Sequence, residues 1–166
     1  MYGNPPRFLR HLHKGQEGAL FFTHLCKAEL NKRRPVAESK LVLYADDDTD
    51  DRAWVSEALR LVGAGMDIHF VENGRQVLEY LRAENSHLPA LIVLDLNMPE
   101  MDGRQTLQQL KKDPALLHIP VAIVTTSNNK LDRDVCQRLG AALYLTKPDS
   151  HAEWQGVIRQ LVPISS

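Results

Sequence analysis

The sequence has few cysteines, no large excess of charge of either sign and no long apolar run. Cys26 and Cys136 fit no metal-binding or redox spacing, and two cysteines do not make a disulfide scaffold. The formal net charge of −1 gives no general electrostatic reason to expect binding to nucleic acid or to a membrane surface. The low cysteine content favours a protein of the reducing cytoplasm, and the balanced charge favours one that makes no direct contact with nucleic acid.

The strongly apolar stretch near the N-terminus is too short to cross a membrane. It covers residues 19–22 (ALFF), whereas a spanning helix needs about 20 apolar residues. His24 and Lys27 interrupt the stretch and no small-residue cleavage site follows, so it also makes a poor signal peptide. We therefore expect no membrane insertion and no export.

From about residue 40, short apolar runs alternate with longer segments of helical periodicity. The runs that we predict as strands are 41–45, 67–71, 90–94, 121–125 and 142–146. Most of them are continuously apolar, which is typical of strands that helices cover on both faces of a parallel sheet. Five βα units with short connections predict an α/β fold, and we assign residues 40–166 to this domain.

Residues 1–39 lie outside the alternation and carry seven Lys or Arg residues against three acidic ones. We predict a basic N-terminal extension here. One alternative is a flexible arm, which is either native or the product of a start codon assigned too far upstream. The other is a docking or dimerising helix over about residues 17–33. A membrane-surface helix is a weaker alternative, because one short amphipathic segment binds a bilayer weakly.

Charged and polar residues follow four of the predicted strands. Asp46 and Asp47 come after the first strand and Asp95 after the third, the fourth ends at Thr125, and the fifth runs to Lys147. In open parallel sheets the ligand site lies at these carboxyl ends. Carboxylates placed this close raise one another's pKa unless a cation neutralises them, and Mg²⁺, for which Mn²⁺ could substitute, prefers such oxygen ligands. Together with a hydroxyl and an ammonium, these groups supply the parts needed to accept a phosphoryl group.

Three more aspartates stand beside the first acid pair, within residues 46–51 (DDDTDD). Asp48, Asp50 and Asp51 fall where the first helix begins. Acidic side chains complement the helix dipole at that end, by a few tenths to about 1 kcal/mol. We therefore predict that these three form a solvated helix start and not part of the site.

These motifs together resemble the receiver domains of two-component response regulators, the group that includes the bacterial chemotaxis response regulator. The resemblance rests on the acid pair, on Asp95 within DLNMPEMDG, on Thr125 and on Lys147-Pro148, with spacings of 30 and 22 residues between the last three sites. It covers about residues 40–162. It implies a flavodoxin-like, doubly wound (βα)5 fold with strand order 2-1-3-4-5. The strings TTS and NMP are similar to those of small stand-alone regulators, including regulators paired with phytochrome-type kinases.

The resemblance also implies a cation site and a phosphoacceptor. Asp95 would accept the phosphoryl group from a sensor histidine kinase or a phosphotransfer protein. Asp47 would bind Mg²⁺ directly and Asp46 directly or through water. The backbone carbonyl of Asn97 would complete the protein ligands beside Asp95.

A switch and an output surface follow from the same resemblance. Lys147 would pair with the phosphoryl group, Thr125 would donate a hydrogen bond to it, and Tyr144 would change position together with Thr125. The surface over the fourth helix, fifth strand and fifth helix, including Cys136, Leu143 and Tyr144, would then bind a kinase, an unknown output protein or a second copy of the chain. Because the sequence ends at Ser166 without an output domain, we expect a single-domain regulator that catalyses only its own phosphotransfer and dephosphorylation.

Two other functions remain open. A Mg²⁺-dependent phosphatase resembling the haloacid dehalogenase group would use an aspartate nucleophile after the first strand. Asp46-Asp47-Asp48 can mimic that motif, but the loop lacks the hydrophobic-Thr continuation and no cap domain is present. A receiver fold that acts as a phosphorylation-independent scaffold is the second alternative, which the complete set of site residues disfavours.

Overall fold

The computed structural model describes residues 40–84 and 86–165. The basic extension predicted over residues 1–39 lies outside the described residues, as do Asn85 and Ser166. In the part of the chain that the structure describes, no helix combines the length and apolar composition needed to cross a lipid bilayer.

Five strands alternate with five α-helices in residues 40–165. They are β1 (Lys40–Ala45), α1 (Thr49–Val62), β2 (Met66–Val71), α2 (Gly74–Arg82), β3 (Leu91–Leu94), α3 (Gly103–Lys112), β4 (Val121–Thr125), α4 (Lys130–Arg138), β5 (Leu143–Thr146) and α5 (Trp154–Leu161). Short 3₁₀ turns at His151–Glu153 and Val162–Ser165 flank α5. The strands form one parallel sheet in the order β2-β1-β3-β4-β5, so the predicted fold class and strand order are confirmed.

Helices cover both faces of the sheet, as the continuously apolar strands predicted. Alternate strand residues point to opposite faces. Leu43 and Ile92 belong to a buried cluster with residues of α2, α3 and α4. Tyr44 and Val93 belong to a second cluster with residues of α1 and α5, including the fully buried Trp154. This two-sided core holds the strands in register and so sets where the carboxyl end of each strand lies.

The structure corrects one residue of the predicted output surface. Cys136 is fully buried and packs in the cluster of α2, α3 and α4, whereas Val135 and Leu139 are only partly buried. The periodicity of α4 therefore runs inward through Cys136. Its thiol belongs to the core and offers nothing to a partner.

Tyr44 leaves a polar atom unpaired inside the core. Its side chain is 1% exposed, its ring centroid lies 5.6 Å from that of Phe70, and its hydroxyl has no hydrogen-bond partner among the described residues. Burial raises the pKa of the Tyr44 hydroxyl well above its ordinary value, and the nearby carboxylates add to this shift. The Tyr44 hydroxyl therefore stays protonated and donates no hydrogen bond to another described residue.

Removing this hydroxyl is expected to stabilise the fold. An unsatisfied buried polar group costs free energy, so we expect Tyr44→Phe to raise the free energy of unfolding by about 1 kcal/mol in urea titrations. Tyr80→Phe is the control, because the Tyr80 hydroxyl donates to the His87 carbonyl at 3.2 Å and its loss should lower stability slightly. A fall in stability for Tyr44→Phe would mean that the hydroxyl has a partner, such as a buried water.

Candidate functional site

The carboxyl ends of the strands bring the predicted site residues to one edge of the sheet. The backbone N–H of Asp95 donates to the Ala45 carbonyl at 2.9 Å, which ties the end of β3 to β1. The N–H of Lys147 donates to the Thr125 carbonyl at 2.8 Å, which ties the end of β5 to β4. Because these bonds continue the sheet ladder, the backbone and not a flexible loop positions the functional side chains.

Three carboxylates converge at this edge. Asp46, Asp47 and Asp95 each offer an oxygen, and the three oxygens lie within 4.8 Å of one another. Asp46 and Asp95 are buried, whereas Asp47 is exposed. Such a set suits a hard divalent cation such as Mg²⁺ or Mn²⁺ that keeps waters on its open side. The N–H of Asn97 donates to Asp95 Oδ1 at 3.3 Å, and the role of its carbonyl as a ligand stays a prediction.

The Lys147 ammonium lies among the carboxylates and is buried. Lys147 Nζ is 2.7 Å from Asp46 Oδ2, 2.7 Å from Asp51 Oδ2 and 3.0 Å from Asp95 Oδ2. Burial lowers the pKa of Lys147, but the contacts with Asp46 and Asp51 outweigh that effect and hold the pKa above its usual range. The lysine is therefore a permanent positive charge in the site.

One ammonium does not neutralise these carboxylates. Burial raises the pKa of Asp46 to about 6, although Lys147 and the N–H of Asp48 act in the opposite direction, and the nearby Asp95 raises it further. The carboxyl groups of Asp46, Asp47, Asp51 and Asp95 surround a single ammonium, so negative charge is in excess here when they are ionised. A bound divalent cation would relieve this excess.

Asp51 is a site residue that the sequence reasoning missed. Asp48 is the N-cap of α1, where its side chain accepts from the N–H groups of Asp50 and Asp51, and Asp50 is exposed. The Asp51 side chain instead turns to Lys147 and is 14% exposed. The signal was present in the sequence, because Asp51 lies four residues before Val55, on the buried side of the same helix.

Thr125 and Tyr144 are linked through Ser127. Thr125 is fully buried, and its Oγ1 accepts a long hydrogen bond of 3.4 Å from the Ser127 N–H. The Tyr144 hydroxyl donates to the Ser127 carbonyl at 2.9 Å. Arg133 donates to the Tyr144 carbonyl at 3.1 Å and stacks 4.5 Å from the centre of its ring. Tyr144 is thus held inward, while Leu143 is half-buried.

Comparison with known proteins identifies this arrangement. A family model for the response regulator receiver domain matches residues 42–159, which is well over half of the chain. The chain belongs to the response regulator receiver domain family. This receiver domain carries the acid pair, the third aspartate, the threonine and the lysine at the strand ends from which the resemblance was drawn, and the predicted family is confirmed.

Relatives of this receiver domain include small regulators from cyanobacteria. Response regulator Rcp1 of Synechocystis is 36% identical over 112 residues, which cover 65% of this chain and 76% of Rcp1. The Mn²⁺-bound form of Rcp1 and the phosphorylated cyanobacterial phytochrome response regulator RcpA each superpose with a TM-score of 0.69 at 32% identity. Each match covers 74% of this chain, with 94% of Rcp1 and 90% of RcpA.

A longer relative matches over only part of its length. Response regulator Rre1 of Synechocystis is 31% identical over 127 residues, which cover 76% of this chain but 53% of Rre1. The receiver domain therefore accounts for about half of that protein. Membership of the receiver domain family therefore places this chain in two-component signalling.

Proposed function

We propose that this receiver domain is a phosphorylation-dependent switch in which Asp95 accepts a phosphoryl group from a phosphohistidine. The donor is a sensor histidine kinase or a phosphotransfer protein, and the similarity to RcpA supports a kinase of the phytochrome type. The observation that carries the proposal is the position of Asp95 Oδ2, 3.0 Å from the Lys147 ammonium and inside the cluster with Asp46 and Asp47.

We expect the phosphoryl group to be transferred in line. An oxygen of Asp95 attacks phosphorus, the bond from phosphorus to the imidazole nitrogen breaks, and the imidazole keeps the electron pair. Lys147 and the Thr125 hydroxyl then bind phosphoryl oxygens. A divalent cation, for which we propose Mg²⁺, supplies positive charge that offsets the charge of the transferring group when Asp46, Asp47, Asp95 and the Asn97 carbonyl hold it.

Ser127 offers a route from the phosphoryl group to the surface. A phosphoryl oxygen that attracts Thr125 draws it from its long contact with the Ser127 N–H, and the Ser127 carbonyl holds Tyr144. The inward and outward positions of Tyr144 are then the two states that phosphorylation biases. The output surface consists of α4, β5 and α5 with Leu143 and Tyr144, and it binds the kinase, an output protein or a second copy of the chain.

Residues 40–166 form the receiver domain of a cytoplasmic regulator, and residues 1–39 are a basic extension of it. The protein catalyses only its own phosphorylation and dephosphorylation and does not turn over another substrate. The phosphatase and the phosphorylation-independent scaffold are the competing functions.

Phosphorylation of a single aspartate tests the proposal. With acetyl phosphate and Mg²⁺, we expect the intact mass of the wild type to increase by one phosphoryl group, because Asp95 lies where Lys147 can bind the incoming oxygens. Asp95→Asn is expected to show no increase, whereas Asp134→Asn, on α4 and outside the carboxylate cluster, should behave like the wild type. An unmodified wild type would favour the scaffold. Hydrolysis of a phosphoester that survives Asp95→Asn but is lost in Asp46→Asn would favour the phosphatase.

A further inference from the structure

Asp51 contacts the site lysine although the resemblance to receiver domains assigns it no role. Its Oδ2 lies 2.7 Å from Lys147 Nζ, as close as Asp46 Oδ2 and closer than Asp95 Oδ2 at 3.0 Å. The Asp48 side chain accepts from the Asp51 N–H at 3.2 Å and thereby fixes the first turn of α1. The exposed fraction of the side chain is 14% for Asp51, 0% for Asp46 and 6% for Asp95, so Asp51 is the most accessible of the three partners.

Three carboxylates share the ammonium of Lys147, which donates a hydrogen bond to Asp95 Oδ2 and lies 2.7 Å from an oxygen of each of the other two. A lysine ammonium carries three N–H donors, and three carboxylates contact it. A phosphoryl group on Asp95 brings new anionic oxygens that need a cationic donor. The phosphoryl oxygens therefore compete with the three carboxylates for the same ammonium.

The contact with Asp51 is the one whose loss costs least. Asp46 is fully buried, and a buried carboxylate that loses its cation has no water to replace it. Asp95 is the residue that receives the phosphoryl group. Asp51 keeps part of its side chain in contact with water and lies in the first turn of α1, where the helix dipole stabilises a carboxylate.

We propose that Asp51 is a positioning residue that holds Lys147 in the unphosphorylated site and releases it to the phosphoryl oxygens when Asp95 is modified. The inference rests on the proposed function, because it takes Asp95 as the phosphoacceptor. Asp51 and the phosphoryl group compete for the same donor. The strength of the contact between Asp51 and Lys147 therefore sets how readily Asp95 is phosphorylated.

The test compares Asp51→Asn with Asp50→Asn. Both remove one negative charge from the same helical turn, but Asp50 is exposed, and the carboxylates paired with Lys147 among the described residues are those of Asp46, Asp51 and Asp95. With acetyl phosphate and saturating Mg²⁺, we expect Asp51→Asn to raise the initial rate of phosphorylation of Asp95 by about tenfold. The rate of Asp50→Asn should change less than about twofold. Asp51→Glu keeps the carboxylate and should return the rate toward that of the wild type.

Calorimetric titration of Mg²⁺ without a phosphodonor separates positioning from cation binding. The proposal expects Asp51→Asn and Asp50→Asn to weaken Mg²⁺ binding equally. A larger loss of Mg²⁺ affinity for Asp51→Asn with no gain in rate overturns the proposal. Equal phosphorylation rates for the two variants, with Asp95 modified in both and in the wild type, overturn it but leave the proposed function intact. A wild type that is not modified on Asp95 overturns the proposed function itself, and the inference with it.

Discussion

Replacing Gly103 with alanine is expected to lower the free energy of unfolding by about 3 kcal/mol and to slow phosphorylation of Asp95 by roughly a hundredfold. The added Cβ would overlap the carbonyl oxygen of Asp95 and would lie 3.0 Å from the Cα of Leu96. These are backbone atoms at the end of β3, which cannot turn aside as a side chain can. The clash therefore pushes the start of α3 away from the strand end or displaces the peptide that carries Asp95.

Gly156 provides a matched control for this substitution. It lies in α5, and a Cβ there meets no atom within 4 Å. Gly156→Ala is expected to raise stability by up to about 1 kcal/mol, because alanine is the better helix former. Thermal unfolding and the initial rate with acetyl phosphate measure both variants. Wild-type values for Gly103→Ala would contradict the close approach of α3 to Asp95.

The composition of the strands made the fold class predictable, but their order came from a family resemblance. Continuous apolar runs such as 121–125 identify buried strands because helices cover both faces of the sheet. The pairing of β1 with both β2 and β3 is a property of the whole chain, and no local pattern in residues 40–45 specifies it. The predicted strand ends nevertheless differ from the observed ones by at most one residue.

The convergence of the strand-end residues was predictable from the parallel sheet, whereas the contact of Asp51 was missed. Residues at the carboxyl ends of parallel strands must meet at one edge, which is why Asp46, Asp95 and Lys147 could be brought together without a structure. Asp51 and Cys136 depend on helix phase. A helical residue changes face with a shift of one position. The apolar side of α1 indicated where Asp51 lies, four residues before Val55, whereas only the observed packing shows that Cys136 faces the core. The acidic run therefore divides differently from the prediction, with Asp51 in the site.

Replacing Lys147 with methionine is expected to lower the free energy of unfolding by about 3–5 kcal/mol when no divalent cation is present. The substitution keeps a long unbranched side chain but leaves Asp46, Asp51 and Asp95 without the ammonium that contacts all three. Asp46 is fully buried and cannot exchange its lost partner for water. Repulsion among the carboxylates then acts directly against folding.

Magnesium is expected to restore much of this loss, and more in the variant than in the wild type. A cation that binds only the folded state stabilises it by about 2.7 kcal/mol at 100 times its dissociation constant. In Lys147→Met the cation is the counter-charge that replaces the lysine, so its binding is strengthened. Thermal unfolding with EDTA and with MgCl₂ measures the difference between the two proteins.

Lys111→Met is the control, because it removes a lysine that binds backbone carbonyls and not carboxylates. Lys111 Nζ donates to the carbonyls of Leu117 and Ile119, at 3.0 and 2.9 Å, and forms no ion pair with a carboxylate among the described residues. Its loss should lower stability by an amount that Mg²⁺ does not change, because uncharged carbonyls do not repel one another as carboxylates do. If Mg²⁺ stabilised Lys147→Met no more than the wild type, excess negative charge at the strand ends would not be what the lysine offsets. The case for a cation between Asp46, Asp47 and Asp95 would then lose its electrostatic basis.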